Sequence, residues 1–541
     1  MKRHNKSVKH KTNLSRREFL GRSLAAAAAI ASSPQGVAAE AKKQTKPNIL
    51  FIITDHQAFY GHDREGTFEY KWPVFEKFCS EGMRFDRAYS VCPLCTPARA
   101  SMLTGVYPSS HGLIFNTDGA DMHDFRSDQK LYSHYLSRAG YRNAYVGKWH
   151  CGKNKLAADY EMEGWSLPDY GKVYMSDAYK SYASEQNLGD ARARIEHDID
   201  YPRRNGKTLT LHHPSPWHFM NASGILAGPP AAHEENFVAH LAIEKLKELT
   251  KTPQPWSLVA SFWGPHQPYF PTEPYASMVD PKSIPQYPTF NDDLEGRPFR
   301  YILHRDFDHP SRQVWPEWST WQRVLTRAYG QGYQTDAAIG QILKALEQSG
   351  QADNTLVIWC ADHGDALASH GGLWDKAATY IEEVARVPMA IRWPARFKGA
   401  KRTDKIISNM DITATILQAA GIKVPGYMHS RSLLKLCRAG EGVDWPEYTV
   451  AEHHGHSDEI TQRIIVGKRY KYVAALFDGD ELYDLQNDPF ERHNLVDSRE
   501  HRDIADQLRG RIIKHIEKND DWRAKKLTHA HKLAHALKLG R

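Results

Sequence analysis

Four short apolar runs, each ending in a charged or ligating residue, constrain this 541-residue chain more than any other feature. The first, Asn48-Ile49-Leu50-Phe51-Ile52-Ile53, ends in Thr54-Asp55-His56. Residues 141–146 run into Gly147-Lys148-Trp149-His150, and residues 257–263 into Gly264-Pro265-His266. Thr355-Leu356-Val357-Ile358-Trp359-Cys360 ends in Ala361-Asp362-His363-Gly364-Asp365. Runs this short and continuously apolar read as strands covered on both faces, as in a parallel sheet. Helical patterns over residues 234–249 and 320–348 precede the third and fourth runs, which predicts an α/β fold. The expected architecture is a large, mostly parallel sheet sandwiched by helices, with a smaller C-terminal α+β domain carrying an antiparallel sheet. Open α/β sheets bind ligands beyond the carboxyl ends of their strands. Asp55, Lys148, His150, His266, Asp362 and His363 are therefore expected to converge on one edge.

A second stretch supplies a reactive group. Cys92-Pro93-Leu94-Cys95-Thr96-Pro97-Ala98-Arg99 leads into Ala100-Ser101-Met102-Leu103-Thr104-Gly105. Pro97 suits the first turn of a helix, where a missing N–H costs no hydrogen bond, and Gly105 is a plausible stop. Cys95 then stands at a helix N-terminus, where free N–H groups and the macrodipole attract an anion. Arg99, one turn on, adds a fork of donors suited to a tetrahedral oxyanion.

Taken together the residues describe an anion-transfer site. Asp55 and Asp362 are hard oxygen ligands for a divalent cation, with His363 adjacent. Arg99, Lys148 and Lys376, the last within Leu373-Trp374-Asp375-Lys376, can neutralise substrate oxygens. His150 and His266 can move protons near neutral pH. Singly, each has a plainer reading: an Asp after a strand is often a turn former or helix cap, and the chain has 29 histidines. A buried thiol is the commonest fate of a free cysteine, and Cys92-x-x-Cys95 also fits a redox pair.

Cys95-x-Pro-x-Arg99, with the Gly-Lys-Trp-His, Pro-His and Asp-His-Gly motifs in order, resembles the type I sulfatases. These are formylglycine-dependent members of the alkaline-phosphatase-like superfamily. The resemblance implies oxidation of Cys95 to formylglycine by a maturation enzyme, and attack on sulfur by the hydrated aldehyde. It implies Asp55, Cys95, Asp362 and His363 as the metal set, and Arg99, Lys148, His266 and Lys376 on the substrate. His266, with Lys376 beside it, would protonate the leaving alcohol; His150 would be the base that regenerates the aldehyde. Calcium is the expected cation. Asp55-His56 departs from the Asp-Asp common in the family, and Asp362-His363 from Asp-Asn. Two imidazoles weaken the calcium assignment and leave manganese or another cation open.

Charge has a narrow origin. The formal net charge is +7, yet residues 1–39 carry eight Lys/Arg against Glu18 alone, so the remainder is formally neutral and no nucleic-acid partner is expected. Ser15-Arg16-Arg17-Glu18-Phe19-Leu20, a short apolar run and small residues near position 39 read as a twin-arginine signal peptide. Export through the Tat machinery to a bacterial-type periplasm or the exterior is the expectation.

The catalytic domain is expected over residues 46–425, the smaller domain over 426–520 and a basic tail over 521–541. Residues 157–216 and 269–317 read as long loops over the strand ends, with Tyr170, Trp217, Trp315 and Trp318 as candidate sugar platforms, core packing being the favoured reading for each. Glu452-His453-His454-Gly455-His456 reads either as a solvated loop or as a face of the cleft. The chain is thus expected to be an exported hydrolase of sulfate esters on a carbohydrate. The alternatives are a phosphonate or phosphodiester hydrolase of the same fold, or a non-catalytic binder of sulfated glycans if Cys95 stays a thiol.

Overall fold

A computed structural model describes residues 46–59, 70–117, 123–213, 215–376, 379–456 and 459–536. The twin-arginine leader lies outside the described residues. The large sheet contains strands β1 (Asn48–Thr54), β2 (Met83–Tyr89), β3 (Arg142–Lys148) and β4 (Glu163–Leu167). A small separate sheet is made by β5 (Arg192–Asp198), β6 (Thr208–Thr210) and β7 (Ala222–Leu226). The large sheet continues with β8 (Trp256–Ser261), β9 (Thr355–Ala361), β10 (Arg386–Arg392), β11 (Lys401–Thr403) and β12 (Ile407–Ser408). Its order is β11-β2-β10-β9-β1-β8-β3-β4, with β12 also on β2.

The four apolar runs are the four adjacent central strands β9, β1, β8 and β3, all parallel. Every residue of β1, β8 and β9 is buried, which explains why their sequences do not alternate. Both faces are used: Ile49, Phe51 and Ile53 pack on one side with Met102, Leu103 and Tyr132. Leu50 and Ile52 pack on the other with Phe237, Ile339 and Ile342. The covering helices are Glu234–Leu249 and Trp318–Gln348. In the second, Trp321, Val324, Leu325 and Ala328 are buried at the three- and four-residue spacing of one helix face. Register places the functional termini side by side: Thr54 pairs with Ala361 and Gly147 with Ser261. Gly147 has φ 109°, and a Cβ there would meet the Ser261 carbonyl oxygen at 1.8 Å, so only glycine lets β3 reach Lys148 beside β8.

The C-terminal sheet is antiparallel in the order β13 (Tyr448–His453), β14 (Gln462–Gly467), β15 (Tyr470–Ala475), β16 (Glu481–Asp484). Helix Arg502–Lys518 lays Ala505, Leu508, Ile512 and Ile516 against Ile465, Tyr472 and Leu482 on one face. Ala451, Ile464 and Val473 pack on Tyr89 and Tyr380 from the other.

Two sequence expectations change, and the packing role of Trp315 and Trp318 holds. The stretch 157–216 is not simply loop: it supplies β4 at the edge of the large sheet and two strands of the small one. Their short, twisted pairing leaves little periodicity to read. Trp315 is buried with Trp321 and Trp374, so it serves packing, and Trp318 packs on the same cluster. Glu452, His453 and His454 are buried in and just beyond β13, where Glu452 accepts hydrogen bonds from Ser109 N (2.8 Å) and Oγ (2.7 Å). The basic tail forms helix Lys525–Ala536, anchored by Leu527. No helix among the described residues is long and apolar enough to cross a membrane. All six cysteines are buried free thiols.

Candidate active site

Helix Cys95–Thr104 begins at Cys95 and stops at Gly105 in the left-handed region, φ 72°. The helix is buried along its whole length, and its N-terminus meets the carboxyl ends of β1 and β9. Cys95 Sγ lies 3.1 Å from His363 Nε2 and 3.7 Å from Asp55 Oδ1. His363 Nδ1 donates to the Gly364 carbonyl at 2.9 Å, which leaves the Nε2 lone pair directed at residue 95. Burial and Asp55 push the Cys95 thiol up, so an unmodified Cys95 is a poor nucleophile here.

Arg99, one turn into the helix, is tied to the carboxylates around it. Its Nε donates to Asp362 Oδ2 at 2.7 Å and its Nη1 to Ser261 Oγ at 2.8 Å. Nη2 lies 3.3 Å from Asp55 Oδ2. Lys148 Nζ is also bonded to Asp55 Oδ2 and sits 4.1 Å from the centre of the Tyr170 ring. Burial alone would raise the Asp55 pKa, but Lys148 and Arg99 hold it well below the usual carboxylate range. For Asp362, burial and the neighbouring Asp55 charge outweigh Arg99 and the pKa is raised.

Lys376 and His56 form a second layer. Lys376 Nζ donates to Asp375 Oδ1 at 2.7 Å and to His56 Nε2 at 3.0 Å. His56 Nδ1 faces Asp365 Oδ2 at 3.3 Å, and that oxygen accepts from the Tyr269 hydroxyl at 2.6 Å. Burial would lower the Lys376 pKa, yet Asp375 beside it raises it, keeping the ammonium charged. The His266 ring stacks on His56 with centroids 3.7 Å apart, and its Nδ1 donates to the Gln267 carbonyl at 2.6 Å. Burial pushes the pKa of His266 well down, Asp55 partly opposing, while Lys148 and Lys376 push it further. Burial and Lys148 do the same to His150, whose ring lies 5.5 Å from that of Tyr170.

Among the described residues, Asp55, His56, Cys95 and His363 bring one donor atom each within 4.8 Å of one another. A carboxylate, two neutral imidazoles and residue 95 fit a divalent cation. Asp362 stands outside that group, with Oδ2 on Arg99 and Oδ1 accepting from the His363 amide at 2.8 Å. A second group joins His56, His266 and Asp375, but the Lys376 ammonium already contacts two of its three members.

All nine sequence-predicted residues are therefore buried within one site at the strand ends. Asp365 and Asp375 were passed over although each lies inside a motif already singled out. Ser261, Tyr269 and Gln331 had no sequence signal. Gln331, on helix Trp318–Gln348, donates from Nε2 to the His266 carbonyl at 2.8 Å and accepts from Phe270 N at 2.9 Å. It thus clamps the loop that carries His266.

Residues 47–422 match the family model described as Sulfatase, and residues 369–518 match that of N-sulphoglucosamine sulphohydrolase, C-terminal. An arylsulfatase of Clostridium perfringens (strain 13 / Type A) is 27% identical over 493 residues, covering 88% of this chain and 95% of its own. A solved structure in complex with its substrate D-glucosamine-2-N,6-O-disulfate superposes with a TM-score of 0.66 at 22% identity, covering 88% of this chain and 99% of that one. The phosphonate monoester hydrolase from Silicibacter pomeroyi superposes with a TM-score of 0.70 at 21% identity, covering 87% and 96%. At such identities these two likenesses show the fold, the alkaline-phosphatase-like one. With a family model spanning more than half of its length around this site, the chain belongs to the sulfatases, the sulfuric ester hydrolases.

Proposed function

We propose that this sulfatase hydrolyses a sulfate ester on a carbohydrate, using formylglycine made from Cys95 by a maturation enzyme and a bound divalent cation. The observation that carries the reading is the placement of Cys95 at a buried helix start, 3.1 Å from His363 and 3.7 Å from Asp55, within a shell of three cations, Arg99, Lys148 and Lys376. Formylglycine would supply a hydrated aldehyde oxygen as nucleophile, and the cation a Lewis acid for the sulfuryl oxygens. Asp55, His363 and residue 95 would hold the cation, with Asp362 beside them fixing Arg99. With one imidazole, His363, beside the Asp55 carboxylate, and His56 engaged by Lys376 and Asp365, the set accommodates calcium as well as a borderline cation such as manganese.

The chain's own residues account for the remaining work. Arg99 and Lys148 already share Asp55, so an entering sulfate ester meets two oriented cations without reorganisation. Lys376 is held charged by Asp375 and is positioned to stabilise a leaving oxygen. His266 rests neutral because it is buried among cations; an anionic substrate in contact with it raises its pKa and prepares it to donate. His150, at the end of β3, is the remaining base on the helix side of the site.

The carbohydrate assignment draws on the relative solved with a disulfated glucosamine. Export by the Tat route rests on the leader sequence. Two measurements test the reading: peptide mass spectrometry across residue 95 after co-expression with a maturation enzyme, and parallel rates on aryl sulfate and on phosphate and phosphonate esters. The aldehyde mass with preferred sulfate turnover is the expected result. A thiol mass together with no turnover sinks it.

A further inference from the structure

Beside the sulfate site lies a cleft of about 500 Å³ lined by Phe299, His304, His456, Phe477 and Asp478, among others. One lining residue, His304, is bonded to the loop that carries Lys376. His304 Nε2 bonds the Trp374 carbonyl at 2.7 Å, two residues before Lys376. The charges of Lys376 and Asp375 both act on His456.

Two aromatic faces stand open at this cleft. Phe299 is 63% exposed and Phe477 is 93% exposed. Phe477 also holds φ 70°, the left-handed region that a bulky side chain rarely adopts. An apolar ring kept in a costly backbone conformation and offered to solvent gives nothing to the core, and such strain clusters at ligand sites. The polar lining differs from that of the sulfate pocket. Arg300 is engaged by Asp478 and Glu481, and the lining as a whole sets Asp308, Glu459 and Asp478 against Arg300 and Lys526. No cation surplus is left to attract a second sulfate or a uronate.

We infer that this cleft is a subsite for an uncharged sugar ring next to the sulfated one, stacked on Phe477 and Phe299, so that the substrate is a glycan chain rather than a sulfated monosaccharide. The inference rests on the carbohydrate sulfatase reading above. Sugar C–H faces pack on aromatic rings while their hydroxyls need hydrogen-bonding groups at the rim, which His456 and Asp478 provide.

The test uses the full chain carrying Cys95→Ala, which cannot turn over, on an array of sulfated monosaccharides and of oligosaccharides ending in the same sulfated sugar. The neighbouring sugar is neutral in one set and a uronate in the other. Chains with a neutral neighbour should bind about tenfold tighter than their terminal monosaccharide. Adding Phe477→Ala with Phe299→Ala should erase that increment. In the otherwise unchanged enzyme the same two substitutions should leave aryl sulfate turnover intact, which also shows that the protein folds. Chains binding no better than monosaccharides, a preference for uronate neighbours, no glycan bound at all, or an increment that survives the double substitution each overturn the subsite. Loss of aryl sulfate turnover in the wild-type protein would instead overturn the sulfatase reading on which it rests.

Discussion

Two clusters of buried charge, one at the ends of β1, β3, β8 and β9 and one behind β13 and β14, differ in a way that separates a reactive site from a structural joint. Behind β13, the charged groups are paired with one another. Arg463 grips Asp521 through Nε at 2.5 Å and Nη2 at 2.9 Å, and its Nη1 donates to the Gln462 carbonyl at 2.6 Å. Burial would raise the Glu452 pKa, but Arg463 and His454 hold it well below the usual range. Its two oxygens accept from Ser109 and so tie the C-terminal sheet to the turn that follows the Cys95 helix. At the strand ends, by contrast, two cations crowd one oxygen of Asp55 while its other oxygen faces Cys95. Four imidazoles there have their pKa values lowered, burial being the chief cause. The two clusters are equally buried, so burial does not distinguish them. What does is how the charges are matched: in the joint Arg463, Asp521 and Glu452 are paired with one another and with Ser109, while the site keeps cations and neutral bases aimed at a shared space.

The contrast can be broken most directly at residue 95. Cys95→Ala should abolish aryl sulfate turnover after maturation while shifting the melting temperature little, because a small residue is tolerated at a helix start. Residual activity near the wild-type level would remove this cysteine from the chemistry. Arg463→Ala should do the reverse, lowering unfolding free energy by about 3–5 kcal/mol, since it leaves Asp521 and Glu452 buried without their cation. Denaturant titration measures that loss, and turnover per folded molecule should hold; an equal fall in both would mean that the joint belongs to the site.

Smaller effects sharpen the boundary. Asp55→Asn should lower the rate by about 10²–10³-fold, the scale of losing a principal electrostatic group. Metal content by elemental analysis should fall with it, and unchanged stoichiometry would exclude Asp55 as a ligand. Gln331→Ala should cost about ten- to a hundredfold in kcat by loosening the His266 loop, and Gln331→Glu should not restore it, because a carboxylate accepts from Phe270 N but cannot donate to the His266 carbonyl. A KM change without a kcat change would argue against positioning. Ser109→Ala should cost only about 0.5–1.5 kcal/mol of stability, one hydrogen-bonded tie between helix turn and C-terminal sheet, read from the denaturation midpoint at constant slope.

Much of the site was legible before folding because its residues sit at the ends of strands whose burial is written into their sequences. Ile49–Ile53 and Leu356–Cys360 are apolar throughout because both faces of a central parallel strand are covered, and the residue that follows such a strand has to emerge at the sheet edge. Asp55, Lys148 and Asp362 follow from those apolar runs, and the start of the Cys95 helix from Pro97 and Gly105. What tertiary structure decided is which of these groups face one another. Asp362 turned its carboxylate toward Arg99, and His56 came to lie between Asp365 and Lys376, because strand register and loop path set those directions. The role of Gln331 depends on a helix more than sixty residues away in sequence from the loop it clamps, and the buried Glu452-His453-His454 run depends on β13 pairing with β14. Local pattern encodes burial and direction of travel; partners distant in sequence are chosen by packing, which no window of residues contains.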